Sequence, residues 1–283
     1  MTGWDRIGSA GDLLACVPDA AVAFGAVVAC AEAVTPSPRE VCERDAVAAA
    51  WREQFVIDVA SITDDQRGAL AASRGDGLFT FVATTWALDM AGRLRHALVA
   101  LAGGGVGGDG DVAWPAPDGA APGDLWPAID AFLPVVSRLD ALDPVTTELV
   151  RLRGARTTHC RLCMSLRSVD AADAGAGDAT FDAVDRYETS GDLTEHQKAA
   201  LRVVDAMLWT PAAWPATVAE GVRAHFSPAA AAELVLDVVR NGANRIAVAL
   251  GADEAHVTSG VEWFATEADG TLTYGLPDPT PAT

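Results

Sequence analysis

The chain has 283 residues, half of them apolar, and a formal charge of −19, which is enough length and apolar content for one large core or two modest ones. So acidic a surface excludes nucleic acid and anionic membrane as natural partners, because both select basic surfaces. Lys198 is the single lysine, so arginine carries nearly all the positive charge.

The first apolar run, residues 19–34, reads as a helix stopped at Thr35-Pro36. It superficially resembles an export signal. Asp5, Asp12 and Asp19 outweigh Arg6 before it, and residues 20–31 are too few to span a bilayer, so a cytoplasmic protein without a membrane segment is expected. Ser37-Pro38-Arg39-Glu40 forms a capping box that opens a helix expected to reach about Val59. Thr63-Asp64-Asp65-Gln66 is a second box, interrupted at Arg74–Gly77 before a helix over residues 78–101. On that helix Asp89, Arg93 and His96 recur at helical spacing, as a pocket lining or a solvated ion-paired face.

Residues 103–127, with GGGVGGDGD and several prolines, have the composition of a connector. They divide an N-terminal half, 1–102, from a second unit, 128–268, and the Gly/Pro/Thr-rich residues 269–283 form a tail with no helical period. Asp143-Pro144 caps and opens a helix to about Arg156, and the β-branched Thr157-Thr158 break it before a restart at Cys160. Thr194–Gln197 is a third capping box, and Ser227-Pro228 opens a long helix to Leu250, kinked or closely packed at Asn241-Gly242. TDDQRGAL echoes TEHQKAAL, and residues 89–98 echo 241–250. The N-terminal half thus reads as a degenerate helical repeat of the C-terminal one, lacking its CxxC. No stretch alternates with period two for long, so the fold class expected is all-α.

Chemistry concentrates in residues 148–167, ELVRLRGARTTHCRLCMSLR, with Glu148, His159, Cys160, Cys163 and five arginines. Cysteines three apart on a helical turn share one face, so they can form a disulfide or share a ligand. A CxxC that opens a helix meets unpaired N–H groups and the positive end of the dipole, which favour thiolate. Arg167, four residues after Cys163, falls on the same helical face and can hold an ionised sulfur, and Glu148 can fold back as proton acceptor. Cys16, Cys30 and Cys42 complete an odd set of five cysteines, unlike a secreted disulfide framework, and a reducing compartment fits them.

Glu148, Cys160 and Cys163 are spaced as in the AhpD-like and carboxymuconolactone decarboxylase superfamily, which the chain resembles over roughly residues 129–253. Its Asn244-Arg245 is similar to the pair on that family's following helix. The resemblance implies an AhpD-like helical fold, Cys163 as peroxidatic thiol, Cys160 as resolving thiol and Glu148 in the proton relay. It further implies a homo-oligomer, a hydroperoxide substrate, an external dithiol reductant, and neither cofactor nor metal. Where peroxidase members carry a histidine four residues after the second cysteine this chain has Arg167, and His159 stands as a substitute. The alternatives are a decarboxylase-like enzyme acting on a small acid, with Arg167 on the carboxylate, and a non-catalytic or zinc-binding module of Cys160, Cys163 and His159.

Overall fold

The computed structural model describes residues 3–103, 112–115 and 123–279. Its helices in chain order are α1 (Ala10–Leu14), α2 (Pro18–Ala33), α3 (Pro38–Arg44), α4 (Ala46–Ile57), α5 (Asp64–Arg74), α6 (Leu78–Leu101) and α7 (Leu125–Ser137). They continue with α8 (Pro144–Thr157), α9 (Arg161–Ser165), α10 (Val169–Asp173), α11 (Asp178–Asp182), α12 (Glu195–Trp209), α13 (Ala216–His225), α14 (Pro228–Gly242) and α15 (Asn244–Leu250). The all-α class holds. The expected capping boxes at Ser37/Glu40, Thr63/Gln66 and Thr194/Gln197 are all formed, each supplying partners to N–H groups that a first turn leaves free. The helix expected over residues 38–59 is instead two, because Asp45 leaves the helical path and caps α4 through Val47 and Ala48 N–H.

Two long helices carry the core. α6 buries Phe81, Trp86, Met90, Leu94 and Leu98, and α14 is buried nearly all round from Ala230 to Val239, the charged Glu233 and Asp237 included. α14 packs on α6, α7, α8 and α12, so one continuous core runs through both halves of the chain. The proposed unit 128–268 accordingly begins inside α7, whose cap is Asp124. Most of the connector expected over residues 103–127 lies outside the described residues. Its described part packs inward: Trp114 meets Phe24 edge-on at 5.3 Å between centroids, and the Pro115 carbonyl sits where a Cβ on Gly25 would stand.

The apolar run Pro18–Arg44 has the length and composition to cross a membrane, longer than residues 20–31 alone indicate. The chain breaks within it after Ala33, and Phe24, Val27, Val28 and Ala31 of α2 are buried in the core. Kinking at Asn241-Gly242 is a true break. α14 ends at Gly242, where an added Cβ would lie 3.1 Å from Met90 Cε, and α15 is closed by Gly251 in the left-handed region. The paired echoes place α5 beside α6 and α12 before α14 in sequence. α13 and its loops supply the extra residues between the second pair.

The tail departs from expectation. β1 (Leu166–Ser168), β2 (Glu262–Thr266) and β3 (Leu272–Leu276) form a three-stranded sheet in that order, β1 parallel and β3 antiparallel to β2. Asp269-Gly270 turns the hairpin with Gly270 at φ 86°. The turn seats on α7: the Ser137 hydroxyl donates to Gly270 O at 2.5 Å, and a Cβ on Gly270 would meet Pro134 O at 2.1 Å. The tail thus folds back over the CxxC region.

Candidate functional site

Asp143 Oδ1 accepts from Thr146 N–H at 2.9 Å and starts α8, which ends at Thr157 as the β-branched pair requires. His159 takes φ 51° and turns the chain sharply. Cys160 is the N-cap of α9, its sulfur accepting from Cys163 N–H at 3.2 Å. Cys160 and Cys163 are disulfide-bonded, with Cα atoms 5.3 Å apart. Asp253, after α15, fixes this turn: its carboxylate accepts from Arg161 N–H and from the Arg161 guanidinium, both at 2.8 Å, and its carbonyl accepts from Leu162 N–H. α9 has five residues, so its dipole is that of little more than one turn, less than the sequence reading assumed.

A cavity of about 440 Å³ opens beside the pair. Cys163 lines it and Cys160 does not, although both are nearly fully buried. Leu162, Leu166 and Phe264 supply apolar walls, and Arg151, Arg240, Asn241 and Asn244 the polar ones. Tyr274 and Leu272, on the unexpected hairpin, close one side. A second cavity of about 380 Å³ lies behind Arg151, Arg240 and Phe264 and is lined by Glu148 and Ser168.

Glu148 therefore faces away from the Cys163 cavity. Its carboxylate is held by Arg151 through Nε at 2.6 Å and Nη2 at 2.7 Å, and accepts from Ser168 N–H at 3.2 Å. Arg151 couples it to the cysteines, donating from Nη1 to Cys163 O and from Nη2 to Leu166 O at 2.8 Å each, with its guanidinium over the Phe264 ring. The ion pair is deeply buried, which makes every donor of Arg151 costly to leave unpaired.

Arg167 does not hold the sulfur by helical spacing, because the helix stops at Ser165 and Arg167 belongs to β1. Its Nη1 donates to Met164 O and Leu166 O, its guanidinium lies over Phe181, and burial pushes its pKa down. His159 is exposed and does not line the cavity. The remaining arginines of the cluster serve structure: Arg153 grips Asp205, Arg156 approaches Asp185 and Arg161 grips Asp253. Asn244 lines the cavity, whereas Arg245 turns the other way, to Asp89 at 2.6 Å and the Phe55 carbonyl. Asp89 and Arg93 thus belong to a buried ion cluster, neither pocket nor solvated face, and His96 is exposed.

Sequence reasoning missed Arg151 as the hub, and Arg240, Phe264 and Tyr274 altogether. Arg151 was signalled by its place three residues after Glu148, a helical pair. Glu233, Asp237 and Arg240 form a charged stripe at i, i+4, i+7 on an otherwise Ala/Val/Leu helix, a pattern that marks buried ions with a purpose or a partner. Burial and Asp237 raise Glu233 to about 7, and burial raises Asp237 to about 7 against the pull of Arg240. Among the described residues no group of three or more His, Cys, Asp or Glu side chains is placed to hold a metal ion.

The chain is 42% identical over 238 residues to the uncharacterized proteins Rv2313c and MT2376 of Mycobacterium tuberculosis strains ATCC 25618 / H37Rv and CDC 1551 / Oshkosh. The match covers 82% of this chain and 81% of each relative. The chain belongs to the family of these two proteins. No family model matches it, and no solved structure does. That membership brings no activity with it, since both relatives are uncharacterized.

Proposed function

We propose that the protein is a thiol-dependent peroxidase and disulfide oxidoreductase of the alkylhydroperoxidase type, with Cys163 as the attacking sulfur and Cys160 as its resolving partner. The observation that carries this reading is the bonded Cys160–Cys163 pair with Cys163, alone of the two, on the wall of a cavity. In the reduced protein the Cys163 thiolate attacks the outer oxygen of a hydroperoxide and the O–O bond breaks. The alkoxide takes a proton and leaves as alcohol, and Cys163 becomes a sulfenic acid. The Cys160 thiol condenses with it, water leaves, and the disulfide forms; an external dithiol then reduces the pair and is itself oxidised. Arg151 positions the Cys163 backbone carbonyl, and Glu148 neutralises Arg151.

The odd, scattered set of five cysteines supports a cytoplasmic, reducing setting, in which Cys16, Cys30 and Cys42 stay free and Cys160–Cys163 is a catalytic pair. Exposed Ile57 and Trp209 around one shallow depression support self-association, and a monomer in analytical ultracentrifugation would remove that part of the reading.

The test is steady-state reduction of cumene hydroperoxide with dithiothreitol as reductant. Wild-type protein turns over and Cys163→Ser does not; equal rates in the two overturn the assignment. A second reading, a decarboxylase-like enzyme acting on a small acid, is favoured by two arginines on the same cavity. Acid turnover that survives in a Cys160→Ser, Cys163→Ser double variant supports it instead.

A further inference from the structure

The two arginines on the cavity are not equivalent. Arg151 has its guanidinium engaged: Glu148 takes Nε and Nη2, and the Cys163 and Leu166 carbonyls take Nη1 and Nη2. Its charge is neutralised by a bidentate carboxylate. Arg240 stands opposite, on α14, and among the described residues its guanidinium makes no hydrogen bond. The nearest carboxylate is Asp237, 3.9 Å away and one turn back, beyond hydrogen-bond reach. The Arg240 side chain is 14% exposed, and this long contact to Asp237 is its one ion pair among the described residues. Burial pushes its pKa down, and burial also holds Asp237 toward its neutral form, so Asp237 is a weak counter-ion. Asn241, on the same wall, leaves its buried Nδ2 without a partner as well.

An arginine largely withdrawn from water, with one distant carboxylate as counter-ion, is stabilised by an anion that reaches it. Much of the remaining wall is apolar, with Leu133, Leu162, Leu166, Leu272 and Phe264, joined by the polar Asn244, Thr271 and Tyr274 and by Asp130 at the exposed rim. A volume of about 440 Å³ falls in the range of small-molecule sites, about 300–1,000 Å³, which are mostly apolar with a few placed polar groups. In a chain of net charge −19, which repels anions at long range, a cationic spot inside an apolar cavity selects a ligand by contact. The fork of a guanidinium fits a carboxylate.

We propose that Arg240 holds the carboxylate of an organic acid whose apolar body fills the cavity beside Cys163, so that the hydroperoxide this site reduces is a carboxylic-acid hydroperoxide. The binding half stands on the cavity alone; the hydroperoxide half rests on the thiol chemistry proposed above. With the carboxylate on Arg240 and the body along the leucines, the peroxide group is directed to the Cys163 wall, and the product is the matching hydroxy acid.

The experiment uses the full chain. Octanoate and octanamide are titrated calorimetrically into wild type, Arg240→Gln and Arg240→Lys, with circular dichroism confirming each fold. Octanoate is expected to bind wild type at least tenfold tighter than octanamide, to lose that advantage in Arg240→Gln and to keep part of it in Arg240→Lys. Equal affinity for the two probes in wild type overturns the carboxylate site, even where Arg240→Gln fails to fold. Turnover of cumene hydroperoxide is then compared with its para-carboxylate derivative, and the acid is expected to have the higher kcat/KM, the preference vanishing in Arg240→Gln. Octanoate binding without reduction of either peroxide keeps the acid site and removes the peroxidase reading. Reduction of both at equal rate keeps the peroxidase and overturns the substrate class.

Discussion

Replacing Arg151 by methionine removes the side chain that joins α8 to the CxxC turn while keeping its apolar stem. Glu148 is then left with 1% of its side chain exposed and one hydrogen bond, from Ser168 N–H, and the Cys163 and Leu166 carbonyls lose their donor. Breaking one side of a buried ion pair costs roughly 3–5 kcal/mol, because the surviving charge has neither water nor partner. Arg151→Met is therefore expected to lose about that much in urea denaturation of the oxidised protein, with an unchanged slope against denaturant. The same physics predicts that adding Glu148→Leu restores most of the loss, since an apolar pair of similar volume is often close to neutral with the ion pair it replaces. A single variant destabilised by less than about 1 kcal/mol, or a double variant no better than the single, would refute the role given to Arg151.

Gly25→Ala is expected to destabilise by more than about 2 kcal/mol, because its Cβ would stand 1.8 Å from the Pro115 carbonyl and the backbone must move. Gly154→Ala, in the open on α8, is expected to stabilise by roughly 0.5–1 kcal/mol from helix propensity, so thermal melts of the two variants should move in opposite directions. Glu233 is held at about 7 by burial and the neighbouring Asp237, against an ordinary value near 4.5. The fold keeps this proton after the unfolded chain has lost it, so the contribution is full below about 4.5, falls as pH rises to about 7, and is flat beyond. That window spans roughly 3 kcal/mol. The difference in stability between Glu233→Gln and wild type, measured from pH 4.5 to 8, should therefore shift in favour of the glutamine as pH rises. No shift would contradict the burial argument.

The helical frame was legible because its signals are local. Ser37, Thr63, Thr194 and Asp143 each announce a first turn within three residues, and Gly251 announces a last one. The CxxC was legible for the same reason, down to the break at Thr157-Thr158 and a helix restarting at the cysteines, although Cys160 caps that helix and does not begin it. What surrounds it was not. Arg167 was given to Cys163 by helical spacing, but spacing carries no information once α9 ends after five residues. Arg240 reaches the site only because α14 packs against both α7 and α8, contacts between segments about a hundred residues apart. The hairpin's signal, Asp269-Gly270 between Trp263-Phe264 and Leu272-Tyr274, was present but diluted by the glycines and prolines around it. The apolar run of α2 superficially resembles an export signal, and its neighbours in the fold make it a core helix, in line with the acidic residues that precede it.

The most direct test of the central claim is a single turnover. Fully reduced protein is mixed with one equivalent of cumene hydroperoxide, free thiols are counted, and the bonds are mapped by mass spectrometry. The account predicts the loss of two thiols per peroxide and one new disulfide, Cys160–Cys163, with a sulfenic acid trapped at Cys163 in Cys160→Ser and no peroxide consumed by Cys163→Ser. Peroxide consumed equally by Cys163→Ser, or thiols lost elsewhere while Cys160 and Cys163 stay reduced, would contradict it.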